Sequence, residues 1–113
     1  MLNINGTDIK MTRGDSVILN MVIYTPDGNV YEMQNGDSLY FTVRELPKKT
    51  SDSPLIEKTF SNNDIKLTPA DTMFLKYGRY FWDATLIFSD GDVNTVASGY
   101  ITLTYEVKWL ITY

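Results

Sequence analysis

The stretch Gly78-Arg79-Tyr80-Phe81-Trp82-Asp83-Ala84-Thr85-Leu86-Ile87-Phe88 decides the fold. Successive side chains of an extended chain point to opposite faces. Tyr80, Trp82, Ala84, Leu86 and Phe88 therefore share one face, and Phe81, Asp83, Thr85 and Ile87 share the other. One face is apolar throughout and the other is mixed, which is the period-2 signature of a strand with one side in a core.

Downstream, Asp90-Gly91 offers a tight turn into a strand over 93–97, Gly99 marks a bend or bulge, and a strand over 100–107 places Ile101, Leu103, Tyr105 and Val107 on one face. Upstream, residues 68–77 form the one credible helical turn. Thr68 can cap it, Pro69 suits its first position, Asp71 complements its free N–H groups, and Gly78 can end it in a left-handed conformation. Ala70, Phe74 and Tyr77 would then share a face. Further back, residues 16–24 alternate, with Val17, Leu19, Met21 and Ile23 apolar. Shorter strands are expected over 30–33, 55–60 and 65–67, and a longer one carries Leu39, Phe41 and Val43 opposite Tyr40, Thr42 and Arg44. Asn5-Gly6, Pro26-Asp27-Gly28 and Asn35-Gly36 punctuate these segments as turns, and 46–53 is a polar loop.

The expectation is a single all-β domain over 1–113, an antiparallel two-sheet sandwich of about 7–8 strands with one short helical turn near 68–77. The expected core is Leu19, Met21, Ile23, Leu39, Phe41, Val43, Phe74, Tyr80, Trp82, Leu86, Ile101 and Leu103. Composition agrees. Val, Ile, Thr, Phe, Tyr and Trp supply 44 of 113 residues, whereas Ala, the best helix former, occurs 3 times.

Composition also narrows function. With 0 Cys and 0 His, the chain has no disulfide framework, thiolate site or Cys nucleophile, and lacks the commonest general base and zinc ligand. A net charge of -4 argues against nucleic acid and against an anionic membrane surface as partners. The N-terminal residues have no basic segment followed by an apolar run, so synthesis in the cytosol without a signal peptide is expected.

Several short motifs have ordinary explanations. Arg13-Gly14-Asp15 spells an adhesive tripeptide but leads straight into a strand, where Gly14 and Asp15 suit a turn. Asp90-Gly91-Asp92-Val93-Asn94 begins like a calcium loop, but Thr95 and Ile101 stand where such a loop needs Gly and Glu. Arg44, Lys48 and Lys49 form a basic cluster on or beside a loop. The Tyr77, Tyr80, Phe81, Trp82 run is split between faces and makes a poor sugar platform as a whole. Tyr40 or Phe81, on the opposite face, could still make a sugar or protein contact. No catalytic, metal or cofactor constellation emerges, and no enzyme is expected. The apolar tail is different. Trp109, Leu110, Ile111 and Tyr113 read either as a last strand on the chain's own sheet or as a partner contact.

Three segments together carry a resemblance: Thr12-Arg13-Gly14-Asp15-Ser16, Gly78-Arg79-Tyr80-Phe81-Trp82-Asp83 and Ala97-Ser98-Gly99-Tyr100-Ile101. Their order resembles the immunoglobulin-like structural module of tailed-phage and prophage proteins, and in particular the N-terminal domain of baseplate upper proteins. The resemblance implies that Gly14 and Asp15 form the turn opening a first long strand. It implies that Gly78 and Tyr80 form the corner before the penultimate one, with Trp82 following, and that Gly99 starts the last strand. Its implications concern fold rather than chemistry. Modules of that family head longer proteins, whereas this sequence runs to Tyr113, so assembly rather than host recognition is the expected role. The expected partners are other phage structural proteins or further copies of the chain, in a virion-associated setting. The alternative is a small carbohydrate- or cell-surface-binding sandwich using exposed aromatics.

Overall fold

The computed structural model describes residues 2–5, 7–45 and 54–105. Its strands are β1 (Leu2–Asn5), β2 (Asp8–Thr12), β3 (Val17–Asn20), β4 (Ser38–Arg44), β5 (Ile56–Phe60), β6 (Asp64–Leu67), β7 (Gly78–Ile87) and β8 (Val93–Thr104), with the helical turn α1 (Pro69–Thr72) between β6 and β7. They form a small all-β domain. A six-stranded sheet has the order β1-β2-β8-β7-β4-β5, and a two-stranded sheet pairs β3 with β6.

The stretch around Trp82 becomes the central long strand. β7 alternates as expected, with Tyr80, Trp82, Ala84 and Leu86 all buried. Its inner face joins those of β4 (Leu39, Phe41, Val43), β8 (Ile101, Leu103) and β2 (Ile9, Met11). Val17 and Leu19 of β3 and Ile65 and Leu67 of β6 complete the same cluster, so one core serves both sheets. Flat rings meet inside it, with Phe41 and Trp82 centroids 5.8 Å apart.

The structure departs from the sequence-based expectation in five places. First, the sheets are not purely antiparallel. β2 runs parallel to β8, with Ile9 opposite Ile101 and Met11 opposite Leu103; alternation fixes which face a residue takes but not strand direction. Second, the helix is a single turn. Asp71 Oδ2 accepts the Thr68 amide at 2.6 Å, as the capping argument requires, but the helix ends at Met73, so Gly78 does not cap it and instead opens β7 with φ 135°. Third, Phe74 lies outside the core and is 85% exposed. The chain turns after α1, through a Leu75 amide to Thr72 carbonyl bond of 3.0 Å, and Leu75 packs inward in its place. Fourth, β8 is continuous. Gly99 lies inside it and is not its start; the irregularity sits between Ala97 and Thr95, opposite Ala84 and Thr85. Fifth, Met21 is only half-buried, and residues 30–33 contribute an isolated bridge between Tyr24 and Val30 instead of a strand.

Candidate interaction surfaces

The outer face of the six-stranded sheet carries ordered aromatic and charged side chains. Phe81 stands opposite Tyr100 on one side and Arg44 on the other. The Phe81 and Tyr100 rings meet edge to face at 6.2 Å, and the Arg79 guanidinium lies 4.3 Å over the Tyr100 ring. Beside them the Thr42 hydroxyl donates to Asp83 Oδ1 at 2.6 Å. The Tyr40 hydroxyl donates to Glu57 Oε1 at 2.6 Å, which pushes the Tyr40 phenol above its ordinary value. These groups restrain one another on rigid strands, so little rotamer freedom remains to be lost on contact with a partner. Tyr and Arg are also the residue types that protein interfaces favour.

A second surface lies on the small sheet. Ile18, Val22 and Tyr24 occupy alternate positions on its outer side, with the polar Asn20 between the first two, and are 61%, 51% and 64% exposed; Val30 pairs with Tyr24 and is 52% exposed. Under this row, a cavity of about 180 Å³ opens between the sheets, lined by Leu19, Met21 and Ile65 from one side and by Thr7, Ile9, Trp82 and Ala97 from the other.

Most of the motif residues singled out by sequence have structural duties. Gly14 takes φ 86° and its amide donates to the buried Thr72 hydroxyl at 2.8 Å, while the Asp15 amide closes the turn on the Thr12 carbonyl at 3.2 Å. Arg13 is held by the fold. Its Nη1 donates to the Leu75 carbonyl at 3.2 Å and its guanidinium lies 4.1 Å from the Tyr77 ring. The Tyr80 hydroxyl donates to the Lys76 carbonyl at 2.7 Å, and burial pushes its phenol up. Tyr80→Phe should therefore cost about 0.5–1.5 kcal/mol of stability in equilibrium urea unfolding; an unchanged midpoint would show the bond to be idle. The Trp82 indole donates to the Thr7 carbonyl at 2.9 Å. Gly99 sits opposite Trp82, and a Cβ there would lie 2.3 Å from that same carbonyl oxygen, so glycine is required by close approach, not by φ. Asp90 and Asp92 belong to the hairpin turn, with the Asp92 amide on Asp90 Oδ1 at 2.9 Å. Lys48, Lys49, Trp109, Leu110, Ile111 and Tyr113 lie outside the described residues.

Sequence reading missed Asp37. Its carboxylate is buried and accepts the Tyr31 hydroxyl at 2.5 Å, the Gln34 amide at 2.9 Å and the Ser89 amide at 3.1 Å. It ties the 31–37 segment to the β7–β8 turn. The available signal was its place directly after Asn35-Gly36, where an Asp side chain commonly bonds back to the turn. The Tyr31 hydroxyl, then the Gln34 and Ser89 amides, hold the Asp37 carboxyl below its ordinary value of 3.8, and the same bond holds the Tyr31 phenol above its ordinary 10.0. A lowered carboxyl stabilises the fold above pH 3.8 and loses that contribution as pH falls through its folded value. A raised phenol contributes below pH 10.0 and loses it as pH rises through its folded value. Urea midpoints measured across pH should fall at both extremes, and the acid limb should flatten in Asp37→Asn. An unchanged acid limb would place the acid sensitivity elsewhere.

Among the described residues, no group of three or more His, Cys, Asp or Glu is placed to hold a metal ion. No protein family, no curated protein and no solved structure matches the chain.

Proposed function

We propose that this chain is a non-catalytic, immunoglobulin-like assembly module of a phage or prophage particle, of tail or baseplate type, made in the cytosol and carried in the virion. The strand order supports the fold part of this reading. Under this reading β4, β7 and β8 would correspond to the C, F and G strands of such a sandwich, β3 and β6 to B and E, and β5 to C′. The Tyr80 hydroxyl on the Lys76 carbonyl would then correspond to the corner tyrosine near the start of F.

The observation that carries the role is the Arg79, Tyr100, Phe81 row, a pre-ordered aromatic and arginine surface on rigid strands. It suits a protein partner better than a sugar, because a stacking platform needs an open ring face and Arg79 lies over that of Tyr100. The experiment is to induce prophages in the source organism, purify particles on a density gradient and search them for peptides of this chain by mass spectrometry. Peptides in the particle fraction are expected. Particles that form without the chain would remove the virion reading and make cell-surface or glycan binding the next account to test.

A further inference from the structure

We infer that the free edge of β3 is a strand-addition site, and that its occupant is the apolar 107–113 segment of a second copy of this chain. The inference rests on the assembly part of the reading above and names the partner. Among the described residues β3 is paired on one side only, with β6. The Met21 amide bonds the Asn63 carbonyl at 2.9 Å, so odd-numbered residues of this stretch face β6 and the backbone groups of Ile18, Asn20 and Val22 face away from it. A two-stranded sheet with such an edge is a template for a further strand.

The cavity says where that strand's side chains would go. Asn20 and Val22 line it although their side chains face outward, so it reaches the backbone edge of β3 and descends to Ile9, Trp82 and Ala97. At about 180 Å³ it matches one ring or one branched aliphatic group, since a cavity of about 150 Å³ takes benzene. An occupant must therefore be extended, offer backbone pairing and alternate apolar residues. Val107, Trp109, Ile111 and Tyr113 alternate with Lys108, Leu110 and Thr112. Laid along β3, the first set would face the cavity and Leu110 would lie beside the exposed Ile18 and Val22 row.

The test is complementation between full-length variants. Asn20→Pro removes an outward amide while the backbone bonds to β6 come from its neighbours, so it blocks the acceptor edge and keeps the donor. It also removes the Asn20 Nδ2 bond to Asp64 Oδ1, so Asn20→Ala, which loses that bond and keeps the amide, is the control and should still associate. Trp109→Asp with Ile111→Asp blocks the donor and keeps the edge. By light scattering, each blocked variant alone is expected at the monomer mass and their equimolar mixture at twice that mass. Wild-type chain is expected above the monomer mass, as a closed dimer or an open head-to-tail series. A wild-type monomer, or a mixture that stays monomeric, overturns the inference. Should Asn20→Pro fail to fold, hydrogen exchange decides. The amides of residues 18, 20 and 22 should exchange at least ~10-fold more slowly in wild type than in the donor-blocked variant. Equal rates overturn the inference, as does protection at monomer mass, which would mean closure within one chain. Particle association without self-association removes the strand exchange and leaves the assembly reading standing.

Discussion

Trp82→Ala is expected to lower the stability of this domain by about 3–5 kcal/mol. Trp82 is 4% exposed, packs on Phe41, and sits at the centre of the strand that links β4 to β8. Truncation removes the ring and also strands the Thr7 carbonyl, which loses its indole donor. A domain of this size unfolds with an entropy that converts each kcal/mol into roughly 4 °C, so the melting temperature should fall by ~12–20 °C. That is a large share of the ~5–15 kcal/mol that holds a domain together. Trp82→Phe separates the two causes, since it keeps most of the packing and loses the hydrogen bond. A loss under about 1 kcal/mol in Trp82→Ala would mean that the cavity beside it lets the core collapse at little cost.

Gly99→Ala is expected to cost about 2–4 kcal/mol, combining overpacking with a lost hydrogen bond. The new Cβ would lie 2.3 Å from the Thr7 oxygen and 2.9 Å from its carbonyl carbon, and these are backbone atoms that a rotamer change cannot move. Residue 7 must withdraw, carrying its carbonyl away from Trp82 and disturbing the neighbouring bond from the Tyr100 amide to Asp8 Oδ1, 3.2 Å long. Because both substitutions act on the same carbonyl, Gly99→Ala with Trp82→Phe should cost less than the sum of the singles. Strict additivity in urea unfolding would show that the two acts are independent and that residue 7 yields freely.

The contrast between these two residues explains what a sequence can disclose. Trp82 was legible because burial on one face of a strand repeats every second residue, and its neighbours report the period. The place of Gly99 was not. Its requirement comes from Thr7, far away in sequence, and no local pattern encodes that approach. Direction and partnership were hidden for the same reason. Ile9 and Met11 follow the alternation of any half-buried strand, whether the neighbour runs parallel or not. Phe74 misled because helical spacing was extended through a segment that makes only one turn; apolar character alone does not reveal where a helix stops. Of the surfaces, Phe81 and Tyr40 were readable as outward-facing. Their partners Tyr100 and Glu57 became visible only through register, as did the cavity along β3.

The parallel pairing of β2 with β8 has a kinetic consequence. Ile9 meets Ile101, so the contact joins the two ends of nearly the whole folded chain. The entropy of closing so large a loop is lost before the contact returns anything, and topologies dominated by such contacts fold slowly, on the millisecond to second scale. During synthesis β1 and β2 leave the ribosome well before β8. Until β8 is complete, the apolar side of β2 has no sheet to join. Refolding traces should therefore show β2 amides gaining protection after those of β4 and β7, and the interval between the two is the period in which this chain is most open to aggregation.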